Sequence, residues 1–335
     1  MELSWLDPQQ PDQRDLAGAV AVLAAATAAD TPSFPLPTVS GFAARLRYGF
    51  AGEPRLAAVA RTGAGGDRVL GVLRLTLPRW DNTHLADVTV TVDPAYRRRG
   101  LGRALFDAGV AQVREQGRRL VCATCLDQPG PAAFLTAMGL THAYTEALRR
   151  QDLSALDPDR FAAAEAEAEA GPGADEYELL RLPGPVPDDL LAAVVAVTGA
   201  INDAPTGELE IEDEVFTPER LRAYERAAAG CGRRLYRVVA RHRPSGELAG
   251  QTVVAVDAEH PWRAGQDDTS VAAAHRGHRL GLRLKLAMLR LLAEAEPQVR
   301  ELDTGNAADN AHMIRVNELL GYELYANELE WQRHL

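Results

Sequence analysis

Two glycines and a group of arginines follow a β-branched segment in the first half of the sequence. The stretch reads VTVDPAYRRRGLGRAL and leads into an amphipathic helix. Gly100 and Gly102 let backbone N–H groups approach an anion at the helix N-terminus, where the helix dipole adds to the attraction. The pattern predicts an anion-binding loop, and the alternative is an ordinary strand-to-helix turn with solvated arginines. The arginines are Arg97, Arg98, Arg99 and Arg103.

Strand ends in both halves carry carboxylates that could accept a proton. Glu301 and Asp303 alternate onto one face of a predicted strand. Asp87 begins a strand in the first half, and Asp267 and Asp268 precede another strand in the second. A carboxylate at a strand end is more often solvated than catalytic. Two interpretations therefore stay open for each of these residues, a solvated surface group or a catalytic base. Two on one strand face favour the second half.

These residues fall on a series of strands and helices that occurs twice in the chain. Each half contains a strand, two helices, three strands, the loop with its helix, a strand, a short helix and a last strand. A glycine-rich turn at 64–66 joins two strands of the first half. The fold class is therefore α/β (α+β), with a mixed sheet flanked by helices in each half. We expect domains at 1–160 and 176–335, joined by an Ala/Glu/Gly linker at 161–175.

The loop of the first half closely resembles motif A of the GNAT family of acyl-CoA-dependent N-acetyltransferases. That motif reads R/Q-x-x-G-x-G/A after a strand ending V-x-V-x-P, and FLTAMGL resembles motif B. The resemblance covers most of residues 1–150. It implies a mostly antiparallel sheet, splayed between its fourth and fifth strands where acetyl-CoA enters. The residues it implies for CoA binding are Val90, Thr91, Val92, Arg97, Arg98, Arg99, Gly100, Leu101, Gly102 and Arg103.

The second half carries a variant of the same motifs, so the chain resembles a tandem GNAT protein, an arrangement that mycothiol synthase shares. TSVAAAHRGHRLGLRLKLAML aligns without gaps, but Arg279 stands where the first glycine is expected. Motif B is fuller here. Its asparagines are expected to bond the pantetheine amides or the acceptor, and Asn310 could instead only cap a helix. The implied CoA-binding residues are Val271, Arg276, Gly277, His278, Arg279, Gly281, Asn306, Asn310 and Asn317.

Acetyl transfer to an amine requires a base that takes the amine proton. Many GNAT enzymes also have a tyrosine four residues before the motif B glycine, where this chain has Leu135 and Asn317. We expect Glu301 and Asp303 to be the catalytic carboxylates, which places catalysis in the second half. The acidic loop GELEIEDEV would attract a cationic amine, or it is simply a charged surface loop. Its substrate-binding residues would be Glu210, Glu212 and Asp213.

Composition limits the partners. Lys and Arg total 36 against 47 Asp and Glu, a net charge of −11 that disfavours nucleic acid. Cys122 and Cys125 lie on a predicted strand with their sulfurs on opposite faces, so no metal site is expected. The longest apolar stretch, 16–29, is too short for a membrane span, and the N-terminus lacks a signal-peptide pattern. We expect a cytoplasmic protein, with a homodimer left open.

The leading hypothesis is an acetyltransferase that uses acetyl-CoA and acts on a small, cationic amine. Two alternatives stay open. One is an acyl-CoA-binding module in which one or both domains are catalytically dead. The other is acetylation of a peptide or protein, which an open groove with backbone donors would favour.

Overall fold

The computed structural model describes residues 2–53, 55–61 and 68–335, so the turn predicted at 64–66 lies outside the described residues. The chain divides into two compact units. The first is Met1–Ala143 with Leu329–Leu335, and the second is Tyr144–Glu328. The end of the chain therefore belongs to the first unit, and residues 144–160 belong to the second. The assignment of 1–160 and 176–335 to two domains stays a proposal.

The first unit is a mostly antiparallel sheet with helices on both faces. Its strand order is β1-β2-β3-β4-β5, with the last residues of β12 beside β5. All recorded pairs from β1 to β4 are antiparallel, and β4 pairs with β5 in parallel. The elements are β1 Glu2–Trp5, α1 Gln13–Asp30, α2 Val39–Tyr48, β2 Arg55–Arg61, β3 Val69–Thr76, β4 Leu85–Val92, α3 Leu101–Glu115, β5 Leu120–Leu126, α4 Pro129–Ala137 and the start of β6 Thr141–Asp152.

The second unit repeats this arrangement. Strand β6 pairs antiparallel with β11, β11 pairs in parallel with β10, and β10, β9, β8 and β7 follow in antiparallel order. The predicted fold class, mixed and mostly antiparallel sheets flanked by helices, is confirmed. The elements are α5 Pro158–Glu169, β7 Tyr177–Pro183, α6 Asp188–Thr198, α7 Pro218–Gly230, β8 Arg233–His242, β9 Leu248–Asp257, β10 Arg263–Val271, α8 Leu280–Ala295, β11 Glu301–Ala307, α9 Ala311–Leu319 and β12 Glu323–His334.

Apolar side chains on alternating strand positions join each sheet to its helices. In the first unit, Phe106 of α3 packs with Leu73 and Val88 on one face. Leu16 of α1 packs with Val59 and neighbours on the other face. The same alternation operates in the second unit, where α8 covers one face and α6 with α7 covers the other. A residue's position along a strand therefore decides which helix layer its side chain meets.

The segment predicted as a linker, 161–175, is packed structure within the second unit. Residues 158–169 form α5, and Ala164 and Ala168 are only 1 % and 3 % exposed in the cluster around α8. These two alanines are four residues apart, so they lie on one helix face. Their small side chains bring α5 close to α8, while Glu165 pairs with Arg290. Low-complexity Ala/Glu sequence here encodes a packed helix.

Each parallel strand pair separates after a short register. Strands β4 and β5 pair at three positions, ending with Asp87 opposite Cys122. Strands β10 and β11 also pair at three positions, ending with Gly265 opposite Asp303. Beyond these pairs, each β4-like strand continues toward its glycine loop without the parallel partner. This is the splay expected between the fourth and fifth strands.

Core residues at matching positions differ in polarity between the units. Phe106 lies six residues after the N-cap of α3, and Lys285 lies six residues after that of α8. Lys285 is 2 % exposed, its Nζ donates to Oε1 of Gln266 at 2.9 Å, and it lies 4.9 Å from the centre of the Tyr322 ring. Burial lowers the pKa of Lys285 to about 7. The second unit therefore holds a titratable amine in its core.

We predict that the stability of the second unit rises with pH between about 7 and about 10. In that range the unfolded chain binds a proton at Lys285 that the folded chain lacks, so raising the pH favours folding. Lys285→Met should remove this dependence, which amounts to on the order of 4 kcal/mol. Thermal unfolding of both proteins at pH 7 and pH 9.5 measures it. The same pH dependence in both would contradict the prediction.

Candidate active site

The loop after β4 forms an anion-binding geometry at the start of α3. Asp93 begins a short 3₁₀ turn, Pro94–Tyr96, by accepting from the Ala95 N–H at 3.0 Å. Gly100 then adopts φ +82°, and no side chain caps α3 within the described residues. The first-turn N–H groups of a helix lack intrahelical acceptors, and they carry the positive end of the dipole. This loop therefore has the backbone arrangement that an anion requires.

The four arginines of this loop have different positions. Arg97 donates from Nε to the Val92 carbonyl at 3.2 Å and binds both oxygens of Asp30 at 2.7 and 2.6 Å. It therefore fixes the loop against α1. The other three arginines are exposed. They are available to a ligand approaching the start of α3: Arg98, Arg99 and Arg103.

The second unit repeats the loop with a different side chain at the critical turn. Arg276 donates from Nε to the Val271 carbonyl at 3.2 Å, as Arg97 does in the first unit, and it also pairs with Asp203. Arg279 occupies the left-handed conformation of Gly100, with φ +57°. Its side chain bonds the Glu167 carbonyl at the end of α5. The backbone shape is retained at the cost of a strained non-glycine residue.

Residues 167–173 also pack against this second loop. The carbonyl of Pro172 is 2.7 Å from Nδ1 of His278, and a Cβ on Gly171 would meet the His278 carbonyl at 2.9 Å. Gly281, in contrast, has open space around it. Residues 167–173 therefore hold the side chains of the loop in place. The first unit has the more accessible glycine loop among the described residues.

The predicted catalytic carboxylates of β11 lie together in an arginine cluster. Asp303 accepts from Arg150 at 2.7 and 3.1 Å and also pairs with Arg263. Glu301 pairs with the same Arg150 at 3.1 Å. Both therefore lie on one face of β11, as their alternation implies. Guanidinium groups of two arginines therefore occupy both oxygens of Asp303.

The three asparagines of the second motif B have different partners. Asn317 is fully buried and donates from Nδ2 to Oδ1 of Asn306 at 2.6 Å. Asn310 caps α9 by accepting from the Met313 N–H at 3.1 Å. Its observed contact is thus the helix-capping one. The bond between Asn306 and Asn317 joins the end of β11 to α9 beside the splay.

Asp87 occupies the point where β4 and β5 separate. Its neighbours Ala86 and Val88 face the α3 core, so alternation directs its side chain to the opposite face, which carries α1 and α2. Burial raises the pKa of Asp87 to about 6, and the charge of Arg55 opposes that rise. With a pKa of about 6, this carboxyl is mostly ionised at pH 7 and becomes protonated when the pH falls below about 6. The sequence already offered Asp87 as a carboxylate at a strand start that could accept a proton, but its place at the end of the pairing with β5 is a tertiary feature.

The second unit has a comparable carboxyl at an irregularity of β10. The register with β9 shifts between Gln266 and Thr269, which marks a β-bulge. Burial and the neighbouring charge of Asp267 raise the pKa of Asp268 to about 6. Asp267 itself pairs with Arg233 at 2.8 Å. Nothing in the sequence distinguishes these two aspartates, whereas in the structure Arg233 pairs with Asp267.

The acidic loop predicted to bind the acceptor lies on the surface. Its three predicted binding residues are exposed. The backbone N–H and carbonyl of Glu214 both bond the side chain of Asn202, at 3.1 and 3.0 Å. Its carboxylate pairs with Arg220 at 2.8 Å. One end of the loop is therefore held, while the predicted binding residues face solvent: Glu210, Glu212 and Asp213.

The described residues contain neither a group suited to a metal ion nor a helix suited to a membrane. Across 2–53, 55–61 and 68–335, no group of three or more His, Cys, Asp or Glu side chains could hold a metal ion. In the same part of the chain, no helix is both long enough and apolar enough to cross a membrane. In β5, Cys122 is buried and Cys125 is half-buried.

Comparisons with known proteins agree with this geometry. Residues 27–140 match the model of the acetyltransferase (GNAT) family. The chain is similar to a solved tandem GNAT protein from the clavulanic acid biosynthesis pathway, with 32 % identity and a TM-score of 0.80 over 99 % of this chain and 98 % of that one. Among curated proteins, none matches the sequence.

More distant structures share the fold alone. A GCN5-related N-acetyltransferase from Sphaerobacter thermophilus is 15 % identical, with a TM-score of 0.68 over 99 % of this chain and 95 % of its own. A glucosamine N-acetyltransferase region of a fungal multi-domain GH3 β-N-acetylglucosaminidase is 16 % identical, with a TM-score of 0.69. That match covers 98 % of this chain and 38 % of the fungal one.

We predict that Gly100→Val lowers the affinity of the first unit for coenzyme A at least tenfold. A Cβ at Gly100 meets no atom within 4 Å, so the effect arises because valine disfavours φ +82° and moves the loop N–H groups. Gly117→Val is the matched control. Gly117 has φ +71° and equally open space, but it follows the other end of α3. Calorimetric titration with coenzyme A that shows equal affinity for both variants would refute the prediction.

Proposed function

Since this chain belongs to the GNAT family of N-acetyltransferases, whose members use acetyl-CoA, we propose that it acetylates the amine of a small molecule. The observation that carries the proposal is the splay at Asp87. A readily protonated carboxyl lies where β4 and β5 separate, on the strand that leads to the glycine loop. This arrangement supports a donor and a base on one strand. A small amine that is cationic at neutral pH is the acceptor class we propose.

The first unit supplies the donor site of the proposal. Exposed arginines and the uncapped start of α3 suit a diphosphate, and the β4 backbone beyond Asp87 has no parallel partner along the splay. About five residues of extended strand separate Asp87 from Val92, roughly 16 Å at about 3.3 Å per residue. An elongated acyl-CoA laid along β4 would bring its thioester toward Asp87.

Asp87 is the proposed general base. Above about pH 6 its carboxylate is charged, and it takes one proton from the ammonium form of the acceptor. The neutral amine then forms a bond to the acetyl carbon, the carbon–sulfur bond breaks, and its electron pair leaves with the sulfur as a thiolate. The nitrogen releases its second proton to solvent, which gives the neutral amide. Leu135 occupies the position where many family members have a tyrosine acid. In this proposal the thiolate takes its proton from solvent.

The second unit offers a rival site. Asp268 has a readily protonated carboxyl, and the exposed acidic loop would attract a cationic amine. The assignment of Glu301 and Asp303 as catalytic carboxylates stays a prediction, and the pairing of Asp303 with two arginines argues against it. The non-catalytic module and the peptide acetyltransferase also stay open. Release of coenzyme A thiol from acetyl-CoA with a panel of amines separates enzyme from module.

We predict that Asp87→Asn lowers kcat about 10²- to 10⁴-fold while coenzyme A still binds, because a general base contributes a rate factor of this size. The wild-type rate should fall below about pH 6, where Asp87 becomes protonated. Asp107→Asn, an exposed aspartate of α3, is the control for the substitution itself. Thiol release and calorimetry provide the two readouts.

The same assay tests the second-unit prediction. If Glu301→Gln or Asp303→Asn removes turnover and Asp87→Asn leaves it intact, the catalytic carboxylate belongs to β11 and our assignment of Asp87 is wrong. A comparable loss in Asp268→Asn alone would instead place the base at the β10 bulge.

If the acidic loop guides a cationic acceptor, neutralising it should raise KM without changing kcat. We predict a several-fold rise for Glu210→Gln/Glu212→Gln/Asp213→Asn at low salt, which disappears near 1 M salt because exposed charges are then screened. Glu115→Gln, exposed in the first unit, is the control. An unchanged KM at low salt would show that the loop is only a solvated surface.

A further inference from the structure

Three arginines lie together on the α2 side of the first unit. Arg55 pairs with Thr76 across β2 and β3, and Thr76 pairs with Asp87 across β3 and β4. Arg74 of β3 pairs with Thr89 of β4. Directly opposed residues share a sheet face, so Arg55, Arg74 and Asp87 lie on the face away from α3. Arg45, exposed on the adjacent α2, is close enough to act on Arg74.

Arg74 is the unusual member of this cluster. Its side chain is half-buried, and Nε is buried without a hydrogen-bond partner in the part of the chain that the structure describes. Burial, with the like charges of Arg55 and Arg45, lowers the pKa of Arg74 to about 10. The guanidinium is therefore still charged at neutral pH. A buried N–H without a hydrogen-bond partner is costly, and like charges held together repel, so a bound anion would stabilise this site.

The position of the cluster separates it from the loop that suits the donor's diphosphate. Arg74 is level with Thr89, whereas the glycine loop begins after Val92, about 10 Å further along the strand at roughly 3.3 Å per residue. Arg74 also faces the α2 side, opposite α3. The cluster therefore adjoins the end of the splay where Asp87 lies. An anion held here belongs to the molecule that reacts beside Asp87.

We propose that Arg74, with Arg55 and Arg45, binds a carboxylate or phosphate-type group of the acceptor. The acceptor would then carry both an amine and an acidic group. Arg74 and Asp87 are diagonal neighbours on adjacent strands, with Cβ atoms roughly 7 Å apart, so a small molecule can reach both. This inference rests on the proposed function, because it places the amine at Asp87. It adds the anionic group that selects the acceptor.

Binding without acetyl-CoA tests the site independently of turnover. The probes are N-acetylglycine, its neutral counterpart N-acetylglycinamide, and N-acetyl-aminomethylphosphonate, each titrated into the full chain at constant ionic strength. We expect one or both acids to bind at least tenfold more tightly than the amide. Their relative affinity distinguishes a carboxylate site from a phosphate-type site.

Variants assign that preference to the cluster. Arg74→Gln should remove the preference for the acid, a loss of roughly 10- to 100-fold, because a hydrogen bond to a charged group is lost. Its thermal midpoint should not fall, since the change removes a buried charge that lacks a partner. Arg45→Gln, at the rim, should cause a smaller loss in the same direction. Arg47→Gln is the matched control, because Arg47 is exposed on α2 and stacks on Tyr48.

Turnover with glycine and glycinamide distinguishes failure of this inference from failure of the proposed function. Equal kcat/KM for the two amines, unaffected by Arg74→Gln, would overturn the anion site and leave acetyl transfer intact. Binding of the acids that depends on Arg74, without any turnover, would leave the anion site and overturn the reaction. Acid and amide binding equally to the wild-type chain, or an equal loss of both in Arg74→Gln, would overturn the inference.

Discussion

Parallel pairing that lasts for only three positions is the constraint on which both sites depend. After Asp87 and Cys122, the backbone of β4 continues without β5 beside it, and the same happens beyond Gly265 and Asp303. Backbone N–H and C=O groups that lack a neighbouring strand need other hydrogen-bond partners. An extended ligand with amide groups can therefore take the place of the missing strand. In the proposed function, the carboxyl at the end of the pairing would lie beside the reactive end of that ligand.

The two units place charge differently around this common frame. In the second unit, Asp303 lies at the last paired position and is bonded by two arginines. In the first unit the carboxyl is on the other strand, at Asp87, and its pKa is raised because burial dominates over the charge of Arg55. The oxygens of Asp303 are occupied by arginines, while the Asp87 carboxyl, with its pKa raised to about 6, can exchange a proton near neutral pH. That contrast is the physical basis for assigning catalysis to the first unit.

The cores of the two units also differ in polarity. Apolar Phe106 fills the position where the second unit has Lys285, which bonds Gln266 beneath the Tyr322 ring. The second unit therefore has a core whose stability depends on pH. In the first unit, Arg74 is half-buried, and its Nε has no hydrogen-bond partner within the described residues. A buried amine that loses its proton near pH 7 affects stability, whereas an arginine that stays charged at neutral pH can bind an anion.

Local pattern was enough to locate both loops, the β-branched strands before them and the fold class, because glycine spacing and side-chain alternation are properties of short segments. The same pattern correctly placed Glu301 and Asp303 on one face of β11. It did not reveal that Arg150, from a strand far away in the chain, forms ion pairs with both carboxylates, or that Ala164 and Ala168 pack on α8. Strand register, pairing of distant charges and burial decided which carboxyl has arginine partners and which one is buried with a raised pKa, since these features arise only when remote segments meet.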